Sequence, residues 1–186
     1  MQTTIRIRIA IAALAGLAAA PMFSQEAVHR SIEVYAMGSY SRISEVANPY
    51  IFGSTQKMNA GGGFFGAGFG GRLGPVGLQT EFLQSRMSGA AQIPCLNTGA
   101  LNIVVEKRTG RIRPGGIAGV GGAEDAGNSY LFLQAGAGVT VMLTHSLFIR
   151  PQVRVQDWER LGVLMGSHHT AVSAVVAIGY RFPASQ

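Results

Sequence analysis

The chain has 186 residues, of which 47% are hydrophobic and 13% charged, and its formal net charge is +6. Soluble domains carry about 25% charged residues, so this composition is unusual for a soluble fold, while the length indicates a single domain. The 26 glycines lie within apolar alternating runs without a Gly-X-Y period, which excludes a collagen-like chain.

The N-terminal twenty residues have the pattern of a secretory signal peptide. They read MQTTIRIRIAIAALAGLAAA, with Arg6 and Arg8 ahead of an apolar run that ends at Ala20. This run is shorter than the roughly 20 apolar residues that a transmembrane helix needs. We therefore predict that residues 1–25 are cleaved, which leaves 26–186 as the mature domain with a net charge of about +4.

The other charged and sulfur-containing residues give no sign of a cofactor. We expect the basic residues that follow the leader to be scattered singly, with no helix or loop concentrating them, which together with export argues against a nucleic-acid partner. The one cysteine, Cys95, cannot form an intramolecular disulfide, and metal-site spacings such as CxxC are absent from the sequence. We predict no cofactor and no metal site, with Cys95 an ordinary surface thiol.

After the leader, no window has a sustained helical period, and the dominant pattern is that of β-strands with one apolar face. In SLFIRPQVRVQDWE, for example, every second residue from Leu147 to Val155 is apolar, and the residues between them include Arg150 and Arg154. Eight stretches are read as strands in this way. They are 31–40, 61–72, 76–86, 100–107, 112–122, 130–143, 146–159 and 170–182.

The connections between these stretches alternate in length. The long ones are 41–60, 87–99, 123–129 and 157–169, and the short ones are 73–75, 108–111 and 144–146. Long outward loops that alternate with tight periplasmic turns are typical of up-and-down barrels in the outer membrane, and an even strand number places both chain ends on the periplasmic side. The predicted fold class is an all-β, eight-stranded antiparallel up-and-down transmembrane β-barrel.

Six charged residues fall on the face opposite the apolar stripe of their stretch. They are Glu33, Glu81, Glu106, Arg150, Arg154 and Arg181. Each would cost roughly 2–4 kcal/mol in hydrocarbon near the bilayer midplane, so in a spanning barrel they must point inward. Eight strands enclose a lumen that side chains fill, so we expect these acids and arginines to neutralise each other in pairs and we expect no diffusion pore.

Glycine and aromatic residues fit the same architecture. Inward glycines in the stretches 61–72 and 130–143 would let long side chains cross a narrow lumen. Aromatic residues near strand ends are candidates for the girdles at the two membrane interfaces. They are Tyr35, Tyr40, Phe82, Tyr130, Phe148, Trp158 and Tyr180.

Three segments carry a resemblance to a known family. The last stretch contains VVAIGYRF, whose alternate residues Val176, Ile178, Tyr180 and Phe182 resemble the C-terminal signal by which the barrel-assembly machinery recognises outer-membrane proteins. The segment TGRIRPGGIAGVGG resembles the turn and fifth strand of opacity-type and OmpA-like barrels of Gram-negative bacteria, and SIEVYAMGSYSR is similar to their first strand. Unlike many members, the chain continues past Phe182 as PASQ, and we expect no peptidoglycan-binding domain of the kind that full-length OmpA-like proteins append.

The resemblance implies a monomeric barrel in the cell outer membrane, surrounded by lipid and inserted by the assembly machinery. Its implied roles are envelope integrity, adhesion or surface recognition of a ligand, carried by the outward loops, chiefly 41–60 and 157–169. It implies no enzymatic activity.

Two alternatives remain open at this point. One is a soluble periplasmic barrel that binds an apolar ligand, which would need an apolar interior and a charged exterior. The other is an enzyme that modifies lipid A, since deacylases of that kind carry a His-x-Ser pair on the outer barrel wall. Here His168 and His169 are followed by Thr170, which does not meet that spacing, and we expect no catalytic residues.

Overall fold

The chain forms a closed barrel of eight strands in sequential order, every strand paired antiparallel to its two neighbours. The computed structural model describes residues 30–45, 59–88, 96–108, 110–125, 128–160 and 168–183. The strands are β1 (Arg30–Glu45), β2 (Asn59–Leu73), β3 (Val76–Ser88), β4 (Leu96–Glu106), β5 (Ile112–Asp125), β6 (Asn128–Met142), β7 (Leu147–Arg160) and β8 (His168–Pro183).

The barrel closes where the first strand meets the last. β1 pairs with β8 over almost its whole length, from Ser31 opposite Pro183 to Glu45 opposite His169. The predicted fold class, an all-β, eight-stranded antiparallel up-and-down barrel, is confirmed. Among the described residues, no helix is long and apolar enough to cross a membrane.

Most strands are longer than the sequence pattern indicated. β1 continues to Glu45 and β4 begins at Leu96, through residues that are mostly polar or small and so lack apolar alternation. The predicted long connection 123–129 is wrong, because β5 runs to Asp125 and β6 begins at Asn128, its Cα partner. Backbone pairing needs no apolar side chains, so a hairpin can extend into water beyond the residues that alternate.

The connections β2–β3, β4–β5 and β6–β7 lie at one end of the barrel, here called the short-turn end, together with the first residue of β1 and the last of β8. The connection β2–β3 places Gly74 at φ 61°, and the connection β4–β5 places Gly110 at φ 65°, a backbone region that favours glycine. In the connection β6–β7, the Thr144 hydroxyl accepts hydrogen bonds from the backbone N–H groups of Ser146 (3.3 Å) and Leu147 (2.9 Å).

The two faces of the barrel wall are chemically opposite. Large apolar side chains cover the outside, among them Phe65, Ile103 and Val153, which are 74%, 55% and 59% exposed. The alternation read from the sequence is confirmed in β1, β3, β4, β6, β7 and β8. The Gly-rich stretch 112–122, whose faces the sequence left open, points Ile112 and Val120 outward and Ile117 inward.

Four of the aromatic residues expected at the membrane interfaces in fact face the interior. Tyr35, Phe148 and Trp158 are buried within the barrel, and the partly buried Tyr130 packs against Trp158 there. The other three, Tyr40, Phe82 and Tyr180, lie on the outer wall. The face on which an aromatic ring lies depends on whether its residue occupies an odd or an even position of the strand, and not on nearness to a strand end.

Small inward residues make the space that long inward side chains occupy. A Cβ atom at Gly68 would lie 2.5 Å from the Tyr35 ring, and one at Gly136 would lie 2.9 Å from Cγ of Arg154. These glycines therefore let side chains of neighbouring strands cross the lumen, as their position in the sequence predicted.

Candidate functional site

The interior of the barrel is the most chemically distinctive part of the molecule. All six charged residues that the sequence places on the inner face have buried side chains, and Glu33, Glu81 and Glu106 are at most 2% exposed. They come from five strands, and they are joined into two groups by hydrogen bonds and ion pairs.

The larger group has Glu33 at its centre. Arg150 donates from Nη2 to Oε2 of Glu33 over 2.8 Å, and Arg181 donates from Nε to Oε1 over 2.8 Å. The amide of Gln79 also donates to Oε2, over 2.8 Å. This carboxylate therefore accepts three hydrogen bonds from three different strands, so its burial is fully compensated.

A second carboxylate, that of Glu106, shares the cations of Glu33. Nη2 of Arg181 lies 3.2 and 3.3 Å from the two oxygens of Glu106, so this guanidinium bridges the two acids. Arg72 lies between the same acids, with Nη1 3.6 Å from Glu33 and 3.4 Å from Glu106. The half-buried Arg113 approaches Glu106 to 3.7 Å from the solvent side.

The smaller group is a bidentate pair in the middle of the barrel. Arg154 donates from Nη1 and Nη2 to the two oxygens of Glu81, over 2.6 and 2.9 Å. The Tyr35 hydroxyl donates to the same carboxylate over 3.1 Å, and the side-chain oxygen Oε1 of Gln152 accepts from Arg154 Nε over 3.0 Å. Paired N–H···O⁻ bonds of this geometry are among the strongest that side chains form.

Farther from the short-turn end than this pair, the interior is lined first by neutral amide side chains and then by apolar ones. Gln134 donates to Asn102 over 2.6 Å and accepts from Gln156 over 3.1 Å. Beyond these amides, Phe132 stacks on Trp158 with 4.6 Å between ring centroids. Further buried side chains complete this apolar cluster, namely Phe64, Ala100, Ala123 and Ala171. The lumen is therefore filled by ionic groups together with the buried Phe148 ring on the short-turn side, and by the cluster around Phe132 and Trp158 toward the other end.

A small cavity lies among the ionic groups of the interior. A cavity of about 10 Å³ borders Glu106, Thr140, Arg150 and Gln152, which is room for about one water molecule. Within the described ranges, no three His, Cys, Asp or Glu side chains come together in a way that could hold a metal ion.

Arg72 is the functional residue that the sequence reading missed. It has the same parity in β2 as the inward glycines Gly68 and Gly70, so period two alone would have placed it inside. With Arg72 included, four buried arginines of the described interior face three buried glutamates. The expected one-to-one pairing is therefore wrong for the larger group, where three arginines share two acids.

The C-terminal residues that resemble an assembly signal form a row on the outer wall. Val176, Ile178, Tyr180 and Phe182 all point outward, and the rings of Tyr180 and Phe182 lie 4.6 Å apart. Residues 184–186 lie outside the described part of the chain, as do residues 1–29 with the predicted signal peptide, and so does Cys95.

The histidines of the enzyme hypothesis stand at the start of β8. The backbone register places His168 opposite Glu159, and His169 opposite Trp158. The expectation that no His-x-Ser spacing occurs is wrong, because the sequence has one at His29-Arg30-Ser31. Ser31, however, is buried on the inner face of the wall. A deacylase would present this serine on the outer face, so the spacing does not match that chemistry here.

Comparison with known proteins identifies the fold. No family model matches the chain, and no curated protein matches it either. Among solved structures, the crystal structure of Neisserial surface protein A superposes with a TM-score of 0.59 at 13% identity, covering 82% of this chain and 96% of that one. The N-terminal β-barrel domain of Pseudomonas aeruginosa OprF gives a TM-score of 0.53 at 15% identity, covering 84% of this chain and 100% of that domain. The chain thus has the fold of the eight-stranded outer-membrane barrels, and the resemblance seen in its sequence is confirmed at the level of that fold.

Proposed function

We propose that this chain is a non-enzymatic outer-membrane β-barrel with a structural, adhesion or surface-recognition role. It is exported with removal of residues 1–25, inserted as a monomer by the barrel-assembly machinery, and recognised there through the row from Val176 to Phe182. Surface contacts are made by the connections opposite the short-turn end. These are 46–58, 89–95, 126–127 and 161–167, which lie outside the described residues.

The observation that carries this proposal is the reversed polarity of the barrel wall. Phe65 is 74% exposed on the outside, whereas Glu33 on the inside is 0% exposed. A soluble barrel for an apolar ligand would need the opposite arrangement, because an apolar ligand requires an apolar lumen and water requires a polar exterior. In a bilayer the arrangement is favourable, since lipid covers the apolar wall and closure leaves no unpaired strand edge.

The filled interior supports a scaffold role rather than a pore. Ion pairs cross the lumen at the short-turn end, and Phe132 with Trp158 fills it farther along. Eight-stranded barrels generally leave no water-filled channel, in contrast to barrels of 16–18 strands. Solute passage would require both the ionic groups and the aromatic cluster to move.

The first test is the electrophoretic mobility of the full chain, boiled against unboiled, in the outer-membrane fraction of the producing cells. A closed, detergent-resistant barrel migrates differently before and after boiling. We expect such a shift, and we expect the protein in the membrane rather than in the periplasmic extract. A periplasmic protein without a shift would show that the membrane assignment is wrong.

A pair of substitutions separates the membrane barrel from a soluble one. Val153→Arg places a cation on the outer wall in the middle of β7, and Leu73→Arg places one at the short-turn end of β2. In a bilayer the first costs about 2–4 kcal/mol, and the second about 0–1 kcal/mol because its guanidinium reaches the interface. We expect Val153→Arg to reduce the heat-shifted form strongly and Leu73→Arg to leave it nearly unchanged. A soluble barrel would accept both.

The enzyme hypothesis is tested by the mass of lipid A. We expect overproduction of the chain to leave that mass unchanged, with or without His168→Ala and His169→Ala. A loss or gain of an acyl chain that disappears in either variant would establish catalysis.

A further inference from the structure

The exposed charges are distributed unequally between the two ends of the barrel. At the short-turn end, every exposed or half-exposed Arg, Lys, Asp or Glu side chain of the described residues is cationic. These side chains are Arg30, Lys107, Arg108, Arg111 and Arg113. The acids at this end, Glu33 and Glu106, are buried and engaged by arginines inside the barrel. At the opposite end, carboxylates such as Glu124 and Asp157 lie on or near the surface.

Three of these cations belong to one connection, which we call the basic turn: Lys107, Arg108 and Arg111, between β4 and β5. The expectation that no loop concentrates basic residues is therefore wrong. Arg113 is not part of this group, because its guanidinium donates to the Gly110 carbonyl over 3.1 Å and lies 3.7 Å from Glu106.

Backbone hydrogen bonds hold the basic turn in place. Glu106 N–H donates to the Pro75 carbonyl over 2.8 Å, and Lys107 N–H donates to the Pro114 carbonyl over 2.9 Å. On the other side, Met142 N–H donates to the Arg111 carbonyl over 2.8 Å. The backbone on both sides of the basic turn is thus held by the β2–β3 connection, β5 and β6. This reduces the conformational entropy lost when a partner binds.

The basic turn begins where the apolar outer wall ends. Along β4 the outward side chains Leu101, Ile103 and Val105 are apolar, and the next residue of the same parity is Lys107. On the adjacent strand, Ile112 is 60% exposed on the outer wall and directly follows Arg111. In a bilayer this boundary lies at the depth of the headgroups, and long Arg and Lys side chains there extend toward phosphate.

We propose that the basic turn binds the phosphate group of an anionic phospholipid, such as phosphatidylglycerol, in the leaflet on the short-turn side. The inference rests on the proposed function, because it requires the barrel to span a membrane. Lipid is favoured over a soluble acidic partner because Lys107 continues the lipid-facing row and Ile112 places apolar surface beside the cations. The three cations have no exposed carboxylate of the described residues near them at this end to neutralise them.

The test measures lipid selection by the inserted barrel. The full chain without residues 1–25 is refolded into phosphatidylcholine bilayers that contain a small fraction of spin-labelled phosphatidylglycerol or spin-labelled phosphatidylcholine. The motionally restricted fraction of each label gives their relative association with the protein. We expect phosphatidylglycerol to be preferred about threefold over phosphatidylcholine, with the preference reduced at about 0.5 M salt.

Variants locate the site. Replacing the three cations together, as Lys107→Gln, Arg108→Gln and Arg111→Gln, is expected to bring the preference close to onefold. The charge-preserving set Lys107→Arg, Arg108→Lys and Arg111→Lys is expected to keep it, because phosphate attraction here depends on charge. Arg42→Gln, which removes an exposed cation at the other end, is expected to leave the preference unchanged.

The outcomes distinguish this inference from the proposed function. If the wild-type barrel shows its heat-dependent gel shift but no preference for phosphatidylglycerol, the lipid site is absent while the barrel stands. The same conclusion follows if the triple Gln variant keeps the full preference. If the chain forms no heat-shifted barrel in any bilayer, the proposed function is wrong and the lipid site is wrong with it.

Discussion

Arg181 and Glu33 are joined twice, once through the backbone and once through their side chains. They are Cα partners where β8 pairs with β1, and Arg181 Nε donates to Glu33 Oε1 over 2.8 Å. The strand pair that closes the barrel therefore carries a buried ion pair across its own seam. Because Arg181 also contacts Glu106 of β4, the seam is tied to the far side of the lumen.

Removing the charge of Glu33 should weaken the barrel strongly. In Glu33→Gln, the guanidinium groups of Arg72, Arg150 and Arg181 share only the Glu106 carboxylate. Loss of one partner from a buried ionic group costs about 3–5 kcal/mol. We expect a clear fall in the urea concentration at which half the protein loses its heat-dependent gel shift. Glu124→Gln, which changes an exposed carboxylate, is the matched control, and equal effects of the two variants would contradict the central role of Glu33.

The bidentate pair of Glu81 and Arg154 can be tested by a double-mutant cycle. We expect Glu81→Met and Arg154→Met each to destabilise the barrel by about 3–5 kcal/mol, because each leaves an unpaired charge inside. The double variant should lose much less than the sum, since Met side chains fill the space without charge. The free energies of unfolding of the wild type, the two single variants and the double variant are measured by urea titration in detergent or lipid. Strictly additive effects would show that the two groups do not interact in the folded protein.

The inward glycines should be intolerant of even a methyl group. In Gly68→Ala the new Cβ would lie 2.5 Å from the ring of Tyr35, whose hydroxyl donates to Glu81, so the ring must move. We expect a loss of about 1–3 kcal/mol from this overpacking. Gly71→Ala is the matched control in the same strand, because no atom lies within 4 Å of its Cβ position. If both variants unfold at the same urea concentration as the wild type, the prediction that Gly68 must lack a side chain is wrong.

The barrel should not conduct ions. After insertion into a planar bilayer, the purified chain is expected to leave the current at the level of the protein-free membrane, because side chains fill the lumen. As a control, protein recovered from the same preparation should show the heat-dependent gel shift, which demonstrates that it is a folded barrel. Repeated, uniform current steps proportional to protein concentration would show that the ionic and aromatic groups leave a path for ions.

Period-two alternation explains why so much of the fold could be read from the sequence. It assigned the faces of six strands correctly and put Glu33, Glu81 and Arg154 on the inner face where the structure has them. Alternation reports the face of a residue but not its depth along the barrel. For this reason the sequence could not tell that Glu33 and Glu106 share cations while Glu81 has its own.

The errors have equally specific causes. Aromatic residues near strand ends are expected at the interfaces, yet Tyr35, Tyr130, Phe148 and Trp158 face inward because of their odd or even positions in the strands. The connection 123–129 was read as a loop because Glu124 and Asp125 interrupt the apolar pattern, while the backbone ladder continues through them. The inward aromatic rings follow strand periodicity, whereas the extension of β5 and β6 depends on backbone pairing, which side-chain alternation does not report.

The double link between Arg181 and Glu33 also bears on the order of assembly. Arg181 is supplied by the final strand, so in a sheet of β1 to β7 the Glu33 and Glu106 carboxylates would have Arg72 and Arg150 as cations but would lack the hydrogen bonds from Arg181. Water would have to replace those hydrogen bonds until β8 docks. Docking of the last strand then completes the backbone ladder and the hydrogen bonding of both carboxylates in one event, which disfavours a half-closed sheet and favours all-or-none closure.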